Sequence, residues 1–373
     1  MKILIFSTAY WPHIGGAEVA VKEITDRIND VKFDMITVRL DKKDLKREKV
    51  GNISVYRIGF GLGRIDKLLF PFRAARLGHR LNQQNQYHIA WSIMASFSGL
   101  AALFFKKKHP AVKFLLTLQE GDNLARIEKR TRFIKKWFKQ IFTTADHVQV
   151  ISKYLANWAV GMGASNDKIT IVHNGTCLSQ VSEAEKEELR KKLGIRNDKI
   201  VLTTSRLVEK NGLEYLIKAM EKLPAKLIIC GTGELKNKLE QVVKDLKIRD
   251  KVVFAGFIQP TELFSYYAIA DVFCRPSISE GLGNSFLEAM GAGVPVVGTP
   301  VGGIVDFLED RRTGWFCKEK NKDSIFAKLK YILDEKNKIE VIKVINSARQ
   351  MVLEKYNWDK ISLQMKDIFN KLA

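Results

Sequence analysis

Two carboxylates flank a glycine-containing turn in the segment PSISEGLGNSFLEAMGAGVPVVGT, which follows the apolar run VFC. Glu280 precedes the turn, and the pattern predicts a helix over residues 284–290 with Glu288 one turn inside it. Glycines at a strand-to-helix turn let the backbone approach a ligand, and the first N–H groups of a helix attract anions. Carboxylates accept hydrogen bonds from sugar hydroxyls. The segment therefore predicts a site for an elongated ligand with phosphate and hydroxyl groups.

A basic pair, Arg206 and Lys210, directly follows a second apolar run, KIVLTT. A planar guanidinium fork beside a compact ammonium charge suits a diphosphate. The N-terminal loop TAYWPHIGGAE places Gly15 and Gly16 before a helical pattern, which is a weaker anion signal. The alternative is ordinary surface chemistry, because isolated basic pairs and helix-N-terminal carboxylates are usually solvated. The strand-end positions and the GLGN turn favour a site.

Two series of apolar strands alternating with helical patterns would carry these residues. Continuous apolar strands separated by helices are typical of parallel sheets covered on both faces, so the fold class is α/β. At 373 residues the chain is expected to form two domains. We place an N-terminal domain at 1–177, a second at 178–355, and a C-terminal amphipathic helix at 356–373 that packs back on the first. Ligands of such folds bind at the carboxyl ends of the strands.

The order of these motifs resembles glycosyltransferase family four, whose members are retaining enzymes with the GT-B fold, two Rossmann-like domains facing each other across a cleft. Glu280 and Glu288 match the E-x7-E motif of that family. The resemblance covers essentially the whole chain and includes GGAE at 15–18, ADHVQVIS at 145–152, NG at 174–175, the Arg206/Lys210 pair, CGTGE at 230–234, AD at 270–271, VGG at 301–303 and TGWF at 313–316.

The resemblance implies roles for individual residues. Arg206, Lys210 and Glu280 would be the catalytic residues, the first two on the donor diphosphate and Glu280 on a hydroxyl of the donor sugar. Glu288 would bind the nucleotide ribose. The other donor-site residues would be Gly16, Gly231, the base contacts Phe257 and Ile258, and the turn residues Gly281, Leu282, Gly283, Asn284 and Ser285, with backbone amides from Leu282 to Ser285 on phosphate.

The chain departs from the family pattern at three positions. Similar enzymes often have a histidine after the strand FLLTL, where this chain reads Gln119-Glu120-Gly121-Asp122. Gln119 is therefore expected to contact the sugar, and Glu120 or Asp122, with Gly15, are candidates for the acceptor. The turn usually read N-G-V-D lacks its aspartate, since Cys177 stands there, and Ser205 replaces a glycine before Arg206. None of these changes removes a phosphate ligand.

The reaction implied by the resemblance is transfer of a sugar from a nucleoside diphosphate sugar, such as a UDP or GDP sugar, to a hydroxyl acceptor without a cofactor or metal ion. A lipid-linked or cell-surface glycan precursor is the expected acceptor, as in polysaccharide biosynthesis, and a soluble small molecule is the alternative. No D-x-D motif is present, which disfavours a metal-dependent transferase. No G-x-G-x-x-G follows the first strand, which disfavours a nicotinamide-dependent oxidoreductase. The four cysteines lack C-x-x-C spacing, so no zinc site is expected.

The charge of the chain is strongly positive, with a net value of +21. Residues 1–176 hold 29 Lys and Arg against 14 Asp and Glu, and the excess is concentrated between Arg57 and Lys139. A basic nucleic-acid-binding protein is a possible alternative, but no recognition motif accompanies the charge, so no nucleic acid partner is expected. Without a secretory leader pattern, the expected location is cytoplasmic, with the first domain docked on the inner face of an anionic membrane.

The segment EKRTRFIKKWFKQIF leaves two interpretations open. Its aromatic and aliphatic residues recur at helical spacing opposite a basic face. Such a helix either packs on its own sheet with a solvated basic surface or docks on a membrane.

Overall fold

The computed structural model describes residues 1–177 and 181–373. These residues form two compact units, unit 1 with Met1–Asn174 and Trp358–Ala373, and unit 2 with Gly175–Asn357. The boundary predicted at residue 178 lies outside the described residues. The predicted C-terminal segment, 356–373, begins two residues before the point at which the chain returns to unit 1.

Unit 1 contains a sheet with the strand order β3-β4-β2-β1-β5-β6-β7-β8. The strands are β1 Lys2–Phe6, β2 Lys32–Val38, β3 Arg47–Val50, β4 Ile53–Ile58, β5 Ile89–Ile93, β6 Lys113–Leu118, β7 His147–Val150 and β8 Ile169–Ile171. The helices up to this point of the chain are α1 Gly16–Asp26, α2 Arg64–Asn85, α3 Phe97–Lys108, α4 Leu124–Arg130, α5 Lys135–Thr144 and α6 Lys153–Gly161. Strands β1 and β5 are buried along nearly their whole length, as the continuous apolar runs predict.

Strand β3 departs from the predicted parallel sheet, because it pairs antiparallel with β4 at the sheet edge. Gly51 and Asn52 join the two strands, with Gly51 at φ +55°. A connection this short can only join antiparallel strands. The sequence REKV, charged and only partly buried, carries no apolar run that would have marked it as a strand.

Unit 2 contains a sheet with the strand order β11-β10-β9-β12-β13-β14. The strands are β9 Ile200–Thr204, β10 Lys226–Cys230, β11 Val252–Gly256, β12 Val272–Arg275, β13 Val296–Gly298 and β14 Trp315–Phe316. The helices are α7 Glu183–Lys192, α8 Leu213–Ala219, α9 Lys236–Asp245, α10 Leu263–Ala268, α11 Asn284–Gly291, α12 Lys322–Leu333 and α13 Lys338–Lys355. All pairings between these strands are parallel.

The C-terminal helix α14, Trp358–Leu372, packs on unit 1. The ring of Phe369 lies 6.1 Å from that of Phe33 and 5.1 Å from that of Trp91. The amphipathic pattern is confirmed, because the apolar face identified in the sequence is the buried one: Trp358, Ile361, Met365, Ile368 and Phe369.

The strand order of each sheet reverses at one point, between β1 and β5 in unit 1 and between β9 and β12 in unit 2. At such a point the helices that follow the two central strands leave towards opposite faces, which opens a crevice at the carboxyl ends of those strands. In unit 2 the crevice is bordered by the loops that begin at Ser205 and at Pro276.

The basic segment around α5 is not one continuous helix. It comprises α4, a single 3₁₀ turn at Arg132–Ile134, and α5. Phe138, Ile141 and Phe142 are buried, whereas Phe133 is 89% exposed and Trp137 is 46% exposed. The packing interpretation therefore holds for the inner face of α5, and two aromatic rings remain in solvent.

Within the described ranges, no helix combines the length and hydropathy needed to cross a bilayer. The four cysteines are free thiols, and three of them are buried.

Candidate functional site

The loops after β9 and β12 are joined through their backbones. The carbonyl oxygen of Lys210 accepts a hydrogen bond from the N–H of Ile278 at 2.6 Å. Gly212 has φ +65°, and a Cβ at this position would lie 2.0 Å from the carbonyl oxygen of Pro276. Since only glycine permits both the conformation and this approach, the basic loop lies directly against the loop that leads to Glu280.

Arg206 and Lys210 lie where the sequence predicts, at the carboxyl end of β9. Arg206 is exposed, and the amide of Asn211 closes the turn by donating to its carbonyl oxygen at 2.7 Å. Lys210 is partly buried in the 3₁₀ turn Glu209–Asn211. Gly231, at the end of β10, also borders this loop, because a Cβ there would lie 1.9 Å from the Ser205 carbonyl oxygen.

Arg275 is the residue that the sequence analysis missed. It ends β12, is 6% exposed, and its guanidinium reaches both sides of the crevice. It donates to Ser277 Oγ at 3.2 Å, to the Thr204 carbonyl oxygen at 3.3 Å and to Ser285 Oγ at 2.7 Å, and it lies 4.9 Å above the Phe286 ring. The sequence did contain a signal for this residue, because an arginine directly follows the apolar run VFC and a carboxylate comes five residues later.

Glu280 forms an ion pair with Arg275. Its Oε2 lies 2.5 Å from Nη2 of that residue, and the exposed fractions of the two side chains are 14% and 7%. Its Oε1 accepts from the N–H of Gly281 at 3.1 Å, and its backbone carbonyl accepts from Gly303 at 3.2 Å. The carboxylate is therefore fixed by the arginine and by its own turn, and the VGG segment packs against its backbone.

Helix α11 starts at Asn284, as the sequence predicts, and Gly283 precedes it with φ +103°. Gly283, the residue before the helix, has no side chain with which to cap its N-terminus. The side chain of Leu282 is buried, so only its backbone faces a ligand, while Ser285 is oriented by Arg275. The arrangement leaves backbone N–H groups and a helix dipole at the crevice, which favours an anion.

Glu288 lies one turn into α11 and accepts a hydrogen bond from the Tyr267 hydroxyl at 2.6 Å through Oε2. The same hydroxyl is 2.9 Å from Thr204 Oγ1, which links α10, α11 and β9. Burial raises the pKa of the Glu288 carboxyl, and the Tyr267 hydrogen bond and the charge of Arg275 act against that rise.

Phe257 and Ile258 directly follow β11, which pairs with β10 beside Gly231. Phe257 is 54% exposed, whereas Ile258 is partly buried. An exposed aromatic ring at this edge can stack on a planar ligand. Unit 2 thus brings together all the predicted donor-site residues except Gly16, which belongs to unit 1.

Unit 1 brings a second group of predicted residues to the carboxyl edge of its own sheet. Gly15 and Gly16 begin α1 and are exposed. Gln119 follows β6, and its Oε1 accepts from the Asn174 amide at 3.1 Å. Asp122 is exposed in the next turn. These residues follow strands that run parallel, so their loops share one edge of the sheet.

Glu120 is the buried carboxyl of this group, at 7% exposure. Its Oε1 accepts from the N–H of Ala95 at 2.6 Å, whereas Oε2 is buried without a hydrogen-bond partner among the described residues. Burial raises the pKa of Glu120 to about 7; hydrogen bonds from backbone N–H groups lower it, and the charge of Asp122 raises it further. Across the described ranges, no cluster of three His, Cys, Asp or Glu side chains is placed to bind a metal ion.

Comparison with known proteins matches both halves of the chain to family models. Residues 14–180 match the model described as Glycosyltransferase Family 4, and residues 185–351 match the model described as Glycosyl transferases group 1. An uncharacterised glycosyltransferase of Methanocaldococcus jannaschii is 28% identical, and the alignment covers 99% of this chain and 98% of that protein.

Solved structures match the fold over the full length of the chain. Sucrose-phosphate synthase from Thermosynechococcus elongatus has a TM-score of 0.87 at 21% identity, with 100% of this chain and 98% of that chain covered. Anabaena HepE in complex with UDP and glucose has a TM-score of 0.82 at 17% identity, with full coverage of both chains. The likeness confirms the predicted class of fold.

The Arg275–Glu280 pair predicts an asymmetric response to substitution. Arg275→Met leaves a carboxylate partly buried without its cation, and we expect the free energy of unfolding to fall by about 3 to 5 kcal/mol. Arg275→Met/Glu280→Gln removes both charges and should recover part of that loss. Chemical denaturation of the variants measures the difference. The exposed Arg312–Glu309 pair of the same unit is the control, because Arg312→Met should cost at most about 1 kcal/mol. A double variant less stable than Arg275→Met would contradict this account.

The buried Glu120 carboxyl predicts a pH-dependent stability. Because folding raises its pKa from 4.5 to about 7, the folded chain retains a proton that the unfolded chain releases between those pH values. The free energy of unfolding should therefore fall as pH rises through this window, by on the order of 3 kcal/mol from this group. Glu120→Gln should remove that part of the decline, as measured by denaturation between pH 4.5 and pH 7. Gln84→Asn, an exposed substitution in the same unit that changes no titratable group, should leave the slope unchanged. Equal slopes for Glu120→Gln and the wild type would refute the assignment.

Proposed function

This chain belongs to glycosyltransferase family 4, and from that premise we propose that it transfers a glycosyl group from a nucleoside diphosphate sugar to a hydroxyl acceptor, with retention at the anomeric carbon and without a metal ion. One observation carries the proposal. The crevice between β9 and β12 combines the Arg206/Lys210 loop, the start of α11 and the Arg275–Glu280 pair. Binding of UDP and glucose by the structurally similar HepE supports a nucleotide-sugar donor.

In this proposal the cationic groups of unit 2 hold the diphosphate. Arg206 and Lys210 contact its oxygens, and the N–H groups at the start of α11 complete the site. Preorganised donors aimed at developing negative charge stabilise the departing diphosphate, which is the task a divalent cation performs in other transferases. Glu288 binds the ribose, Phe257 and Ile258 contact the base, and Glu280 accepts a hydrogen bond from the donor sugar.

The transfer itself proceeds on one face of the sugar. The bond between the anomeric carbon and the phosphate oxygen breaks, and the acceptor oxygen forms the new bond on the same side. The acceptor proton passes to the departing phosphate oxygen, so no enzyme nucleophile is required. In unit 1, Gln119 contacts the sugar, and Glu120 or Asp122 binds the acceptor.

We propose a lipid-linked or cell-surface glycan precursor as the acceptor, with the enzyme at the cytoplasmic face of an anionic membrane. The charge of unit 1 supports this assignment. Between Arg57 and Lys139 the chain has 17 basic residues against four acidic ones. Of these four, Asp66 and Glu120 are buried, so the exposed charge of this stretch is almost entirely positive.

Lys210→Ala tests the diphosphate site. Loss of one preorganised cation should raise the barrier to turnover by roughly 2 to 4 kcal/mol while the fold survives. The donor is first chosen by thermal-shift measurements with UDP, GDP, ADP and their sugars, because a ligand at 100 times its Kd stabilises by about 2.7 kcal/mol. Release of the nucleoside diphosphate then measures turnover. Lys222→Ala, an exposed lysine of the same unit, is the control and should retain full activity. Wild-type turnover in Lys210→Ala would remove the assignment.

Chelation tests the role given to the side chains. Because Arg206, Lys210 and backbone amides supply the positive charge, turnover should persist in excess EDTA. A complete loss of turnover that magnesium restores would show that this mechanism is wrong.

A further inference from the structure

Apolar side chains are exposed in an unusual concentration at the start of α2 in unit 1. Four of them recur at positions i, i+3, i+4 and i+7 and therefore form one stripe on the helix, with two more in the preceding loop. We call these six residues the apolar patch: Phe60, Leu62, Ile65, Leu68, Leu69 and Phe72, which are 40 to 63% exposed. The opposite face of α2 already packs on the sheet through Phe70, Ala74 and Leu81. The helix thus has apolar residues on both faces, and the sheet covers one of these faces.

A specific network holds the loop residues of the patch in solvent. The buried Asp66 carboxylate accepts hydrogen bonds from the N–H groups of Phe60 at 2.9 Å and Leu62 at 2.7 Å, and it pairs with Arg73 at 3.2 Å. The Arg73 guanidinium lies 4.8 Å above the Phe60 ring. Gly59, at φ +117°, admits the carboxylate, because a Cβ there would lie 2.6 Å from Asp66 Cγ. The hydrogen bonds of the loop therefore fix Phe60 and Leu62 in their exposed positions, and their exposure does not come from a frayed segment.

The apolar patch continues across two further helices. The ring of Phe72 stacks on that of Phe104 in α3 at 5.3 Å, and Phe104 meets Trp137 of α5 edge-on at 6.1 Å. Trp137 is 46% exposed, and Phe133 of the preceding turn is 89% exposed. Since α2 packs on α3 and α3 on α5, one aromatic path crosses this layer of unit 1.

Positive charge borders the patch. On α2 the exposed Arg64 lies beside the stripe, and Arg76 and Arg80 continue the same face towards the C-terminus. Asp66 is the sole acidic residue of α2, and it is buried and paired with Arg73. Lys135, Lys136 and Lys139 are exposed beside Trp137. An apolar centre with a cationic border complements the interface of an anionic bilayer, where aromatic and aliphatic groups insert and basic groups meet lipid phosphates.

The position of the patch relates it to the candidate acceptor residues. The loop with Phe60 and Leu62 follows the carboxyl end of β4. Strands β4, β2, β1, β5 and β6 are neighbours in this order, and all of them run parallel. The loop is therefore at the same edge of the sheet as Gly15 and Glu120. A membrane bound at the patch lies beside the edge that would receive a lipid-linked hydroxyl.

We propose that the apolar patch is a membrane-insertion surface, through which unit 1 docks on anionic lipid and takes its acceptor from the bilayer. This inference rests on the proposed function for the identity of the acceptor. Phe60, Leu62 and the α2 stripe enter the interface, and the basic residues of α2 and α5 bind the phosphates around them.

Vesicle flotation of the full chain tests the proposal, with phosphatidylcholine vesicles and with vesicles in which a third of the lipid is phosphatidylglycerol. The wild type should bind the anionic vesicles and lose affinity as salt is added. Phe60→Ser/Leu68→Ser should bind at least about tenfold more weakly, because each substitution removes an inserted side chain. Ile65→Ser/Leu68→Ser, which leaves the loop intact, should show a similar loss. Ile339→Ser/Leu363→Ser, at exposed apolar positions elsewhere, is the control and should bind as the wild type does.

Charge is tested by Lys135→Glu/Lys136→Glu/Lys139→Glu, which should weaken binding about fivefold for each residue near the surface. Three results would overturn the proposal: no binding of the wild type to anionic vesicles at low salt, binding by both patch variants that equals binding by the wild type, or a wild-type dimer that the patch variants dissociate without changing vesicle binding. The last result would assign the patch to a second copy of the chain. The thermal shift with nucleoside diphosphates is measured in parallel. If no nucleoside diphosphate shifts the melting temperature, the proposed function is wrong. If only vesicle binding is missing, the membrane inference alone is wrong.

Discussion

The buried guanidinium of Arg275 constrains everything around it in unit 2. An ion of this size loses most of its hydration at 6% exposure, and the loss is tolerable only if fixed polar groups replace the water. The Glu280 carboxylate, the Thr204 carbonyl and the hydroxyls of Ser277 and Ser285 do so. These four partners come from three parts of the crevice: Thr204 from the end of β9, Ser277 and Glu280 from the loop after β12, and Ser285 from the start of α11. The loop therefore cannot relax without leaving charge unpaired.

Because Arg275 and Glu280 are paired, the charged residues of the site contribute differently to the electrostatic field in the crevice. Arg275 and Glu280 largely neutralise each other, so their net contribution to the field at a bound diphosphate is small. Arg206 is exposed at the end of β9 and lies on the other loop. In the proposed function, Arg206, Lys210 and the helix dipole attract the anionic donor, whereas Arg275 fixes the shape of the crevice.

Patterns that involve neighbours along the chain predicted the fold well. The apolar runs predicted most of the strands, and the glycine turn before residue 284 predicted the start of α11. For Arg275 the carboxylate five residues later was a local signal, but its burial also depends on Thr204, 71 residues away in the chain, and neighbours along the chain do not show that contact. The short edge strand β3 has no apolar run, and its pairing is set by the turn at Gly51. For α2 the periodicity shows apolar residues on both faces but not which face the sheet covers. The burial of Glu120 likewise depends on Ala95, in a loop that precedes it by 25 residues.

The return of the chain to unit 1 has a consequence for biosynthesis. Phe33 and Trp91 belong to the first part of the chain, but the ring that covers them, Phe369, is four residues from its end. A ribosome must translate all of residues 175–357 before α14 emerges, which takes on the order of ten to forty seconds. During that time Phe33 and Trp91 lack the ring that covers them. Unit 1, whose first strand leaves the ribosome before the rest of the chain, therefore completes its core only after the whole of unit 2 has been synthesised.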